Sequence, residues 1–153
     1  MDKRDEGIAE IKDRLKVRKD VIGLVFFKDT PSGEIDPENT PSVLMLEGND
    51  RIVKPSTRNN SGYPATRAAE ITLECIVNSK DTSPRMFCKD VRKAIFLDKE
   101  ADFLTTNESD INIHVAEGVF IREDRTEGPF GYGLPNINGM RLVIDLVYDD
   151  NIL

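Results

Sequence analysis

Apolar residues recur along this chain in two rhythms, one of three to four residues and one of two. In EGIAEIKDRLKVR, Ile8, Ile11 and Leu15 stand at i, i+3 and i+7 on an otherwise charged segment, which predicts an amphipathic helix. The same rhythm returns in SPRMFCKDVRKAIFLD, where Phe87, Val91, Ala94 and Ile95 form the apolar stripe and Lys89, Arg92 and Lys93 the solvated side. Ser83 is suited to cap that helix, and Pro84 fits its first position, where a missing N–H costs nothing. Strict alternation marks AEITLECIVN, with Ile71, Leu73, Cys75 and Val77 facing one way and Glu70, Thr72, Glu74 and Asn78 toward water. It marks MRLVIDLVYDD too, where Met140, Leu142, Ile144, Leu146 and Tyr148 share a face. INIHVAEGVFIRED alternates with Ile111, Ile113 and Val115 inward, and Gly118 signals a bulge or bend. DVIGLVFFKD is an almost unbroken apolar run, the pattern of a strand covered on both faces. A proline-rich loop, TPSGEIDPENTP, separates it from the strand SVLMLEG.

The order is therefore helix, two strands, a polar excursion, strand, helix and two strands, with no internal repeat. Strands joined by loops rather than by regular helical crossovers predict an α+β fold. It is a mainly antiparallel sheet with two principal helices packed on it. We expect one domain over 1–153, with long loops at about 49–64 and 123–139. In the second of these, EGPFGYGLPNING, no lysine and no helix follow Gly128, Gly131 and Gly133, so the phosphate-cradling pattern is not met. The segment reads as the tip of a hairpin whose glycines supply positive-φ turns. Phe130 and Tyr132 on that tip either fold back on the sheet or meet a partner.

Composition narrows the function classes. A chain of 153 residues is long enough to bury about two-thirds of its unfolded surface. Its 21 Lys and Arg against 28 Asp and Glu give a net charge of −7, which argues against salt-driven nucleic-acid binding and against anchoring on anionic lipid. No run approaches the roughly 18 apolar residues of a membrane span, and MDKRDEGIAE lacks the apolar core of a secretory signal, so cytoplasmic synthesis is expected. Cys75 and Cys88 stand outside any CxxC spacing and read as buried free thiols, ahead of a disulfide or a shared metal.

Candidate chemistry is thin. One histidine, His114, cannot build a multi-histidine zinc site, and no nucleophile elbow or Cys/His pair is signalled. Glu70 and Glu74 share a face but lie about 13 Å apart along a strand, beyond the roughly 5–9.5 Å of paired glycosidase carboxylates. Asp145 and Asp149 fail in the same way and read as solvated acids. No catalytic residue, cofactor or metal is assigned.

The sequence of elements, from the N-terminal helix through VIGLVFF, TPSVLMLEG, YPATRAAEITLECIV, SPRMFCKDVRKAIFLD and MRLVIDLVYDD, resembles the tail terminator (tail completion) proteins of long-tailed bacteriophages over about residues 8–150. The likeness lies in element order, not in a sharp motif. It implies a non-enzymatic virion protein of the tail or neck: a homo-oligomeric ring, a hexamer by analogy. Such a ring caps the tail tube, ends its growth and meets the tail tube protein and the head-completion or neck protein. DNA could pass through it without specific binding, and the acidic balance suits a lumen that repels phosphate. The family offers no motif residues to carry over, so interface candidates come from loop chemistry: Arg58, Asn59, Asn60 and Tyr63 in one loop, Phe130 and Tyr132 in the other. Another head–tail connector, a metal-dependent hydrolase and a small-molecule binder are the alternatives.

Overall fold

The computed structural model describes residues 2–17, 26–28, 40–55, 63–96, 112–116 and 119–152. Its first element is helix α1, Lys3–Val17. The Asp2 carboxylate accepts a hydrogen bond from the Asp5 N–H at 2.8 Å, satisfying one of the unpaired donors of the first turn. Asp5 and Glu6 at its start and Arg14 and Lys16 at its end stand where the helix dipole favours them. Ile8, Ile11 and Leu15 are all buried, as their spacing predicts.

The strands are β1 (Phe26–Lys28), β2 (Ser42–Pro55), β3 (Tyr63–Asn78), β4 (Asn112–Ala116), β5 (Val119–Gly131) and β6 (Ile137–Ile152), with helix α2 (Pro84–Phe96) between β3 and β4. They form one sheet in the order β1-β2-β3-β6-β5-β4. Among the described strands only the β1–β2 pairing is parallel, so the fold is the mainly antiparallel α+β architecture that the pattern implies. Ser83 caps α2 through its Oγ, which accepts from the Met86 N–H at 3.1 Å.

Both helices lie on one face of the sheet. The core joins Ile8, Ile11 and Leu15 of α1 and Phe87, Val91, Ala94 and Ile95 of α2 to the alternating apolar residues of β2, β3, β5 and β6. Two features set how closely α1 docks. A Cβ added at Gly7 would stand 2.3 Å from Leu146 Cδ1, so glycine is the residue that lets α1 approach β6. Arg14, buried, donates through Nη1 to the Ile95 carbonyl at 2.7 Å and through Nε to Glu10 at 3.1 Å. That carbonyl belongs to the last turn of α2, where acceptors have no partner within the helix.

Three expectations change. The excursion 49–64 is strand for much of its length, since β2 runs on to Pro55 and β3 begins at Tyr63. Likewise 123–139 is mostly the β5–β6 hairpin, leaving only 132–136 between the strands. These polar strand ends carry no apolar series on either face, so periodicity alone does not mark them as strands. INIHVAEGVFIRED is two strands, β4 and β5, which pair antiparallel. Of the apolar run 20–29, the described part is Phe26–Lys28, which is a strand as expected and pairs parallel to β2 at the sheet edge. The rest of that run, with Ile111 and Gly118, lies outside the described residues.

β3 and β6 are the spine. Their register is unbroken over sixteen pairs, from Tyr63↔Ile152 to Asn78↔Ile137. The strands flanking them are bulged: β2 between Glu47 and Asp50 and between Ile52 and Lys54, and β5 between Glu123 and Arg125 and between Glu127 and Phe130. A straight centre with kinked flanks gives a long sheet whose two ends carry different surfaces.

Candidate functional site

The hairpin tip after β5 is held down by side chains from its own neighbourhood. Tyr132, half-buried, donates its phenolic hydrogen to Glu74 Oε1 at 2.7 Å. Its ring lies over Gly139, where an added Cβ would fall 2.5 Å from the Tyr132 hydroxyl oxygen and 2.8 Å from the Cys75 carbonyl oxygen. Gly139 thus leaves open the hollow that the tyrosine fills. The Arg141 guanidinium sits 4.6 Å from the Phe130 ring centroid and 3.7 Å from Glu74. Burial, and then the bond to Glu74, hold the Tyr132 phenol above the usual tyrosine range.

The backbone of the tip is fixed as well. Asn136 O accepts from Ser79 N–H at 2.7 Å, Leu134 O accepts from Ile137 N–H at 3.3 Å, and the Asn138 side-chain amide reaches Ser79 Oγ. Gly128 (φ 116) and Gly133 (φ 75) supply positive-φ turns as expected of glycines in this segment, Gly131 does not, and Asn136 (φ 62) supplies a third. Gly133, Leu134, Pro135 and Asn136 at the apex are exposed, Leu134 at 40%. Phe130 and Tyr132 are the residues packed back on the sheet.

Tyr63 opens β3, its backbone paired with Ile152 at the other end of the spine. Arg58, Asn59 and Asn60 lie outside the described residues. The structure therefore brings Phe130 and Tyr132 together through Arg141 and Glu74, and places Tyr63 roughly 50 Å away along the strand, at 3.3–3.4 Å per residue from Tyr63 to Asn78. Near this second end Ile52 and Val53 are exposed, at 56% and 43%. They lie at the bulge that shifts the β2 register between Ile52 and Lys54. Arg4 of α1 braces the root of this arm, 2.9 Å from Glu47 and 3.6 Å from Asp50, and the Tyr148 hydroxyl donates to Asp50. Thr66 donates to Asp149 at 2.9 Å.

Between the ends, the sheet face turned away from the helices buries Asp145. Asp145, only 3% exposed, accepts from Arg51 at 2.9 and 3.3 Å and from Arg122 at 3.3 Å. It is not the solvated acid that alternation suggested, and neither is Glu74. Arginines on neighbouring strands close over the first, and the folded tip covers the second. The signal was present as Arg51, Arg122 and Asp145 in three separate strands, but only the strand order makes them neighbours. Among the described residues, no group of three or more His, Cys, Asp and Glu is placed to hold a metal ion. No described helix is long and apolar enough to cross a membrane.

Cys75 of β3 and Cys88 of α2 are both free and buried in the core. A hydrogen bond between the two side chains, then burial, pushes the Cys75 thiol well up, while that same bond draws the Cys88 thiol down.

No protein-family model and no curated protein matches the chain. Among solved structures, it is similar to a chain in the virion of a native gene transfer agent particle, with 12% identity over 92% of each chain and a TM-score of 0.46. A likeness at that level carries no conclusion about role.

Proposed function

We propose that this chain is a structural subunit of a phage tail or neck, a ring-former that caps the tail tube and joins it to the head. The observation that carries the reading is the two-ended sheet. A closed ring of identical subunits needs a heterologous joint, in which one patch meets a different patch on the next copy. Here an unbroken β3–β6 ladder holds a pinned tip at one end and a polar arm with two exposed aliphatic residues at the other. The element order shared with tail terminators supports the same reading. So does the fate of the two most buried acids among the described residues, Asp145 and Glu74, which are occupied by arginine and tyrosine partners.

Such a protein acts by shape, through contacts with its own copies, the tube protein and a neck protein, without covalent chemistry. The test is tube-length control. Tail tube protein polymerising in the presence of this chain should give shorter tubes, seen by electron microscopy, each with a ring at one end. Tubes of unchanged length with bare ends, across a range of subunit ratios, contradict the tail-capping role.

A further inference from the structure

We infer that Cys75 and Cys88 are a redox couple, two thiols that close into a disulfide joining β3 to α2 inside the folded chain; the couple is independent of the ring reading above.

The chain has two cysteines, and the fold brings both to one point. Cys75 stands on the helix-facing side of β3, in line with Leu73 and Val77, and Cys88 joins the same core from α2 with Phe87 and Val91. Their side chains are in hydrogen-bond contact. Free cysteines pack well as small hydrophobes, but that role needs no second cysteine against the first. The route between them is also short and fixed. Cys75 lies three residues before the end of β3, and Cys88 four residues beyond Pro84 at the start of α2. In the turn between, the Asn78 carbonyl accepts from the Asp81 and Thr82 N–H groups at 2.9 and 3.2 Å. The Lys80 N–H donates to Asn78 Oδ1 at 3.0 Å, and Ser83 caps the helix. A stiff turn that holds two thiols together gives each a high effective concentration at the other, the condition that favours ring closure over mixed disulfides.

The two sulfurs have unequal roles. The bond with Cys75 draws the Cys88 thiol down against its burial, and Arg92, one turn on, adds to the effect. Cys88 is therefore the attacking sulfur. It is 2% exposed, so the oxidant must be small, and hydrogen peroxide fits. The Cys88 thiolate attacks a peroxide oxygen, the O–O bond breaks, and the hydroxide released takes up a proton as water, leaving a sulfenic acid. Cys75 sulfur then attacks Cys88 sulfur; the S–O bond breaks, and the departing hydroxide leaves as water with the Cys75 proton. Two thiols are oxidised to one disulfide and one peroxide is reduced to two waters. On the other face of β3, Glu74 holds Tyr132, so the disulfide pins α2 beneath the strand that anchors the hairpin tip.

The test uses the full wild-type chain. Peroxide should convert it to a monomer that has lost two hydrogens by intact mass and takes up no alkylating reagent when unfolded, and dithiothreitol should restore both thiols. In a glutathione redox buffer the equilibrium constant for closure should be at least about tenfold larger in the native chain than in denaturant, and by linkage the oxidised chain should unfold at higher denaturant. Cys75→Ala, checked for folding by circular dichroism, should halt at the Cys88 sulfenic acid and be captured there by a 1,3-dione reagent. Thiols that stay unreacted in the native chain, oxidation that gives only linked dimers, or a disulfide no more favourable in the fold than in denaturant would each overturn the couple.

Discussion

The two ends of the spine are secured by different physics. At the tip, Tyr132 fills a hollow over Gly139 and bonds a Glu74 that is only 9% exposed, so the closure is buried and depends on close approach. At the arm, ion pairs and hydrogen bonds on more exposed groups predominate, Arg4 with Glu47 and Asp50 and Thr66 with Asp149, beside one bond to Asp50 from the buried Tyr148 hydroxyl. Exposed pairs of this kind contribute little each and are screened by salt. The molecule thus has one end closed by a buried aromatic contact and one end braced mainly by ion pairs.

The strongest blow to this contrast is Gly139→Ala. The new methyl cannot coexist with the Tyr132 ring or the Cys75 carbonyl where they now stand, so we expect a loss of about 2–3 kcal/mol in denaturant unfolding, the scale of overpacking. A neutral result means that the tyrosine does not occupy the hollow.

Tyr132→Phe keeps the ring and removes the hydroxyl, leaving Glu74 with Arg141 at 3.7 Å. A hydrogen bond to a charged acceptor at a half-buried site is worth about 1–2 kcal/mol. The same residue gives the tip a pH signature. Its folded proton affinity is raised, so its stabilisation is complete below the ordinary tyrosine range, about pH 10, and falls as pH rises above it. Ultraviolet titration of the wild-type chain should show a tyrosine component at raised pH that Tyr132→Phe removes.

Smaller still is Arg4→Ala at the arm root. Its cost should stay within about 1 kcal/mol and shrink as salt is added, whereas the cost of Tyr132→Phe should hardly change. Equal salt sensitivity at the two ends would erase the distinction drawn between them.

Much of this was legible in the sequence, and the failures have a common cause. Periodicity located both helices and the core faces of β3 and β6, because Ile11, Leu15, Val91, Leu73 and Ile144 announce burial by spacing alone. It missed the far halves of β2 and β5, where DRIVKP and DRTEGPFG have no apolar alternation and are kept in the sheet by hydrogen bonds to the spine. It also could not see Arg51, Arg122 and Asp145 as a cluster, since strand order is a tertiary fact. At the tip, composition singled out Phe130 and Tyr132 as large apolar groups, yet their size is what lets them reach back to Arg141 and Glu74. Leu134, the smaller residue, is left outside with the rest of the apex.

The central claim is that this chain works as one of several identical copies. Native mass spectrometry of the wild-type protein over rising concentration, alone and with tail tube protein, tests it most directly. The account predicts a single closed oligomer, a hexamer if the family analogy holds, with no open-ended series of sizes. A strictly monomeric species under both conditions would contradict it.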